Sequence, residues 1–518
     1  MSALEPLARQ VLQVGGCSPL SADSAGADDD DPARRYQIAV ALQICLDRSP
    51  GFFSDHLRRL LLELAPEISS LKIKLGSLEH AVGELEATRF APTTRLRGQS
   101  RWYFGGLHYY GNQIGPGNTY RVGNPEGTGS LYSLQDALTL TYDIQLNFDS
   151  SFSGKDLLRI RLRAGDGAYS GLRGNLVTPM SRLDGVTPFC SPGSQQRGDC
   201  RNNILSLDKI YYRLPLGPAF TLTFGPRLGQ KDMLAIWPSL YGTSERILSA
   251  FDYAGAVGAY SDVKGGGLGL SWRQPGRKSH YWVASAVYVA AGAPTGIPSE
   301  GGLLTDASRG ATTLQLGFVG QGWAMVGAYT FNQAGARQDE IITPLSAQTW
   351  PTWAPGLNGA VQSFGISGYW DPTKASDWVP VISAGWGFNQ NNYSLSGPNA
   401  ASPLLRAQSQ SWMLGLEWKN VLERGNTLGL AIGQPKFLTS FSNNTGQSGA
   451  YDTSWIMEAW YKIQVTDALS LTPAFFWLPR PRGQLSQSDS SWNDAVLPTS
   501  NGSTLGVFGL VVKATFRF

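Results

Sequence analysis

Between Leu138 and Phe148, eleven consecutive residues alternate without a break. Leu138, Leu140, Tyr142, Ile144, Leu146 and Phe148 are apolar, and Thr139, Thr141, Asp143, Gln145 and Asn147 are polar. A period of two with no helical component specifies a strand with one apolar and one polar face. Its length is about twice that of an ordinary strand. The pattern returns where Leu158, Ile160 and Leu162 interleave with Arg159, Arg161 and Arg163. It returns again where Leu510, Val512, Ala514, Phe516 and Phe518 interleave with Lys513, Thr515 and Arg517.

Applied along the chain, this rule predicts strands at 95–108, 134–149, 156–165, 204–214, 219–228, 264–273, 280–292 and 311–320. Eight more are predicted at 322–332, 360–371, 378–389, 409–419, 424–433, 453–463, 468–478 and 504–518. The connections after even-numbered strands are short, whereas most after odd-numbered strands are long and rich in Gly, Pro, Asn and Ser. Short–long alternation over an even strand number is the pattern of a transmembrane β-barrel, with tight periplasmic turns and longer outer loops. A soluble β-sandwich is the competing architecture. It has shorter strands and a charged exterior, whereas the apolar faces here carry terminal aromatics such as Trp102, Trp282, Trp370 and Trp386, as interfacial girdles do. The expected fold is therefore an all-β transmembrane barrel of about 16 antiparallel strands. No apolar run of about 18–20 residues is present, so a helical span is excluded. Met1–Pro6 lacks the basic and apolar character of a signal peptide.

Charge is unevenly divided. Residues 1–95 carry 13 acidic and 10 basic residues, whereas all 16 Trp and 19 of 20 Tyr lie beyond them. Within the first part, Leu57, Leu61, Leu64, Ile68, Leu71, Leu75, Leu78, Val82 and Leu85 are spaced alternately by four and three. That heptad predicts a coiled coil, with Leu61, Leu64, Ile68, Leu71, Leu75, Leu78, Val82 and Leu85 as its core. Pro66 is awkward inside a helix and fits a first turn better. Such a helix implies a homo-oligomer, with the heptads leaving dimer and trimer open. The expected division is 1–54 as an acidic leading segment, 55–90 as a periplasmic stem, and 91–518 as the barrel.

Parity assigns Arg159, Arg161 and Arg163 to the lumen, since each Arg on a lipid face costs about 2–4 kcal/mol at midplane. There they either present a positive wall to solutes or pair with Asp143 and other acids on neighbouring strands, and the sequence leaves both roles open. The connection 229–263 is too apolar for an outer loop, with Trp237-Pro238-Ser239-Leu240-Tyr241 at its centre. It is expected to fold into the lumen as a constriction, with Arg227, Lys231 and Asp232 near its start. Cys190 and Cys200 share one polar loop and are disulfide candidates in an oxidising compartment. The four His (His56, His80, His108, His280) are scattered, and neither a metal-ligand spacing nor a nucleophile motif occurs. No enzyme, cofactor or metal is expected. A formal net charge of +3 without a dense basic block argues against a nucleic-acid partner.

Several blocks resemble the carbohydrate-selective OprB-type porins, in the cyanobacterial form labelled iron uptake porins. These are Leu85–Gly98, Leu207–Pro215 with Asp232-Met233-Leu234 and Trp237-Pro238-Ser239, and Tyr461–Pro473, together with the terminal Phe518. Arg34–Leu42 with Cys45-Leu46 resembles the end of a surface-layer-homology (SLH) domain, which makes 1–54 a truncated SLH-like remnant. The resemblance implies a passive, homotrimeric porin in outer-membrane lipid, with its stem in the periplasm. It would admit small hydrophilic solutes: inorganic ions, including iron, or sugars. It also implies contact with peptidoglycan or a cell-wall polymer, which the shortened remnant weakens. The alternative is a structural tether between outer membrane and cell wall with little channel activity.

Overall fold

The computed structural model describes residues 93–122, 130–174, 178–185, 200–243, 245–277, 279–336, 357–372, 378–395, 406–442, 452–486 and 504–518, with short pieces at 38–40, 64–65, 69, 189–190, 342–343, 346 and 448–449. The chain divides into two units, Met1–Pro92 and Thr93–Phe518. In the first, Ile38, Ala39 and Leu64 are buried. Apart from 38–40, the SLH-like remnant lies outside the described residues, as does every other member of the heptad core.

In the second unit sixteen long strands form one antiparallel ring. They are β1 (Thr94–Tyr110), β2 (Thr139–Ser150), β3 (Leu157–Gly165), β4 (Ser206–Leu216), β5 (Phe220–Gly229), β6 (Lys264–Arg273), β7 (Tyr281–Ala290) and β8 (Gly310–Gly320). The ring continues with β9 (Trp323–Gln333), β10 (Leu357–Trp370), β11 (Val381–Leu395), β12 (Arg406–Lys419), β13 (Thr427–Ser442), β14 (Ile456–Gln464), β15 (Leu469–Leu478) and β16 (Gly506–Arg517). A two-residue strand, Ser448–Gly449, also pairs with β13. Each long strand pairs with its sequence neighbours, and β16 closes on β1 with Trp102 opposite Ala514. Beyond β16, Gly98 N–H donates to the Phe518 carbonyl (2.6 Å) and Phe518 N–H to that of Gly98 (3.0 Å). Closure leaves no unpaired edge, which a sheet in hydrocarbon requires.

All sixteen strands coincide with the alternating segments. The largest departures are β11, which continues through Asn389–Leu395, and β13, which continues to Ser442. These extensions are polar on both faces or interrupted by Pro435, so period-two reading loses them, yet their backbones still pair. Pro435 sits at a register irregularity between β12 and β13, where a missing N–H costs no ladder bond.

The packing is inside out relative to a soluble protein. Leu140, Leu316 and Ile366 are 66%, 55% and 53% exposed, whereas Thr141, Ser363, Ser367 and Thr515 on the opposite face are buried. Short connections such as Gln321-Gly322 gather at one end, where Gly322 adopts φ +75 to make the reversal. Asp156 organises another short turn. It accepts hydrogen bonds from the N–H groups of Phe152 (3.1 Å) and Ser153 (2.7 Å) and from the Tyr212 hydroxyl (2.7 Å). Among the described residues no helix is long and apolar enough to cross a membrane.

Candidate functional site

The interior is built around the connection 230–263 between β5 and β6. Tyr241, Ile247, Leu248, Phe251, Tyr253 and Tyr260 are all buried there and form the centre of the main apolar cluster. A buried irregular segment must satisfy its backbone groups one by one, and the inward faces of the strands do this with small polar side chains. Ser383 Oγ accepts from the N–H groups of Leu240 (3.0 Å) and Tyr241 (3.1 Å). Ser411 Oγ accepts from Val257 N–H (3.0 Å) and donates to the Gly255 carbonyl (2.8 Å). Ser367, Asn389 and Thr330 donate to the carbonyls of Ala254, Val257 and Ala259 at 2.7, 3.0 and 2.7 Å. These partners come from β9, β10, β11 and β12, and Ser285 on β7 accepts from Ala235 N–H (2.8 Å). The segment therefore lies inside the ring, along the wall.

Carboxyl groups complete the fastening. Glu458 on β14 accepts from Leu248 N–H (2.6 Å) and the Tyr241 hydroxyl (2.8 Å), and Trp460 Nε1 donates to that hydroxyl (2.9 Å). Glu417 on β12 accepts from Gly242 N–H (2.9 Å). Glu245, on the segment itself, meets Lys513 (3.3 Å) and Arg517 (3.0 Å) of β16. Burial alone would raise the Glu245 carboxyl, but these two cations hold it below the usual carboxylate range.

Two further segments enter the same space. Residues 166–185 join the loop through Asp184 N–H to the Ile247 carbonyl (2.7 Å) and Ser249 N–H to that of Arg182 (2.9 Å). Residues 480–486 join through Ser454, whose hydroxyl donates to the Arg480 carbonyl (2.9 Å). Neither is apolar enough in sequence to be singled out. Asp184 also pairs with Arg246 (3.0 Å). Partial burial would raise its carboxyl, but Arg246 and then Arg101 outweigh this and hold it low.

The predicted residues divide as follows. Arg159 Nε and Nη2 donate to Asp149 in a two-point pair, each at 2.7 Å. Arg161 donates to Asn147 (2.7 Å) and lies 3.8 Å from Asp208. Arg163 pairs with Asp143 (2.5 Å) and donates to the Gly185 carbonyl (3.0 Å). The three arginines thus share the inward face and all have acidic or amide partners. Asp232 pairs with Lys209 on β4 (2.7 Å) and accepts from Gly229 N–H (2.9 Å). Lys231 pairs with Asp252 and lies 4.3 Å above the Trp237 ring. Arg227 stays apart from this group, exposed at a register shift between β4 and β5. Cys190 and Cys200 occupy paired backbone positions on two short strands, Phe189–Cys190 and Cys200–Arg201.

Sequence reading missed Glu458, Glu417, Glu245, Asp208, Lys209, Lys264 and Lys513. Strand parity signalled Lys513, but nothing local identified the loop residues it meets. Among the described residues no cluster of His, Cys, Asp and Glu could hold a metal ion.

A closed sixteen-strand barrel with an apolar belt and charged lumen has the build of an outer-membrane channel. Residues 381–516 match the carbohydrate-selective porin, OprB family. The OprB match begins with β11 and runs into β16, covering the stretch that carries Ser383, Ser411, Glu458 and Lys513. The chain is also 24% identical over 516 residues to an uncharacterized protein of Nostoc sp., covering 90% of this chain and 76% of that one. An uncharacterized protein of Synechocystis sp. is 24% identical over 498 residues, covering 89% and 80%. Among solved structures, OprB of Pseudomonas putida at high pH is 11% identical with a TM-score of 0.43, covering 82% of this chain and 94% of that one. The anion-selective porin from Comamonas acidovorans is 10% identical with a TM-score of 0.43, covering 82% and 99%. The barrel fold rests on its own strand pairing rather than on likenesses of this size.

Proposed function

We propose that this protein is an outer-membrane porin through which small hydrophilic solutes, ions or sugars, diffuse passively. The observation that carries this reading is the apolar-out, polar-in closed ring, whose lumen residues 230–263 narrow by packing along the wall. Lys231 and Asp232 lie at the root of that narrowing, and Arg159, Arg161 and Arg163 stand on the wall beside it. The heptad over 55–90 supports a homo-oligomer with the stem in the periplasm, and the resemblance to trimeric porins makes that a homotrimer.

The extent of inward packing favours a second reading, in which the barrel is plugged and serves as a tether between outer membrane and cell wall. Planar-bilayer recording of the purified full-length protein separates the two. Stepwise ohmic conductance in KCl is the expected result. Intact barrels that insert but pass no current would overturn the porin reading and support the tether.

A further inference from the structure

The cargo class follows from which lumen groups water reaches. Among the described residues the inward rings are committed to packing: Tyr103, Tyr211, Tyr241, Tyr253, Tyr260 and Trp460 are each at most 2% exposed. The partly exposed Trp237 carries Lys231 on its face, and the face of Tyr281 carries Arg273 at 4.0 Å. Tyr281 and Tyr369 also pack against Val283, Val319 and Ala324. A sugar needs an open aromatic face to stack on, and these rings are already occupied.

Most of the ion pairs share an asymmetry. Arg159 is 24% exposed over an Asp149 at 9%, and Lys231 is 29% exposed over an Asp252 at 12%. Arg161 (21%) and Lys264 (30%) both stand over Asp208, which is only 5% exposed. Arg517 is 37% exposed over a Glu245 at 7%. Three contacts depart from it: Asp184 is more exposed than Arg246, Glu245 is more exposed than Lys513 (7% against 1%), and Asp252 is level with Arg246. In the other pairs the carboxylate sits behind its cation, so most of these nominally neutral pairs turn their positive end toward the water. A solute passing within a few ångströms meets guanidinium and ammonium edges before it meets an acid.

We infer that the channel selects small anions over cations and, among the described residues, has no stacking subsite for sugars, a proposal that rests on the porin reading. A lumen potential of about 1 kT, low for a charged cleft, enriches chloride and depletes potassium each by a factor of about 2.7, which gives roughly a sevenfold preference for chloride. The test is the zero-current potential across a bilayer separating two KCl concentrations, followed by maltose titration of the conductance. The expected sign is that of chloride selectivity, and maltose leaves the current unblocked. Arg161→Gln with Lys264→Gln brings the ratio down toward one, whereas Asp208→Asn, which removes only the recessed acid, raises it. The opposed directions keep the test informative if one variant fails to assemble. A conducting wild-type channel that is cation-selective, or that maltose blocks saturably, overturns this inference while leaving the porin standing. Absence of any conductance overturns the porin reading itself.

Discussion

Glu458 is the strongest single tie between the inward loop and the wall, and Glu458→Ala tests how the loop is held. The substitution removes the acceptor for two well-placed donors, Leu248 N–H at 2.6 Å and the Tyr241 hydroxyl at 2.8 Å. A third contact, from Ile247 N–H at 3.5 Å, is too long to add much. A buried donor left unsatisfied costs about 1–3 kcal/mol, so the two together cost about 2–6 kcal/mol. That corresponds to roughly a 30-fold to 20,000-fold shift toward detached loop, since about 1.4 kcal/mol is a factor of ten. Glu458→Gln serves as the control. Its amide oxygen still faces Leu248 N–H and its amide nitrogen the Tyr241 oxygen, so most of the tie survives. Hydrogen exchange followed by mass spectrometry reads the result directly at the Ile247 and Leu248 amides. The alanine variant loses protection there while the strand amides of β14 keep theirs. Exchange at these amides within about twofold of wild type in the alanine variant would refute the anchoring argument.

Two other perturbations probe the outside and the turn end. Leu316→Arg, near the middle of β8 on the lipid-facing side, costs about 2–4 kcal/mol; denaturant unfolding of the barrel from lipid vesicles measures it, and a neutral outcome would contradict the assigned face. Asp156 is held far below the usual carboxylate range by the Ser153 and Tyr212 hydroxyls. A depressed pKa contributes stability that is fully present above the unfolded value of about 4 and is lost as pH falls through the folded one. Asp156→Asn should therefore make the 151–156 turn protease-sensitive at neutral pH, where the wild-type turn resists cleavage.

The wall was legible because hydrocarbon imposes a period of two on every residue that crosses it. Gly385, Ser383 and Trp386 on β11 obey the same rule as Leu138–Phe148, whatever their neighbours do. Parity also placed Arg159, Arg161 and Arg163 on one face, but their partners depend on register. Arg159 meets Asp149 directly across from it, whereas Arg163 lies opposite Gln145 and reaches diagonally to Asp143. Loop 229–263 stood out because Trp237 and Tyr241 are misplaced in an aqueous loop. Residues 166–185 carried no such mark, since the apolar residues they bury, Leu172, Met180 and Leu183, are scattered among Gly, Ser and Arg. The loop's fastening could not be read at all: Ser383, Ser411 and Glu458 are ordinary inward positions until the segment that needs them is in place.

That fastening also fixes an order of assembly. Tyr241 and Glu458 are 217 residues apart, and Glu245 and Lys513 are 268 apart. A loop leaving the fifth strand thus finds its partners on strands made much later, as far as the last. Contacts across such separations wait on the rest of the chain and slow folding. The barrel must pass through a stage with its wall built and its lumen still open, and the narrowing is among the last things acquired. Damage to the final strands therefore reaches the narrowest part of the channel, although that part is encoded near the middle of the chain.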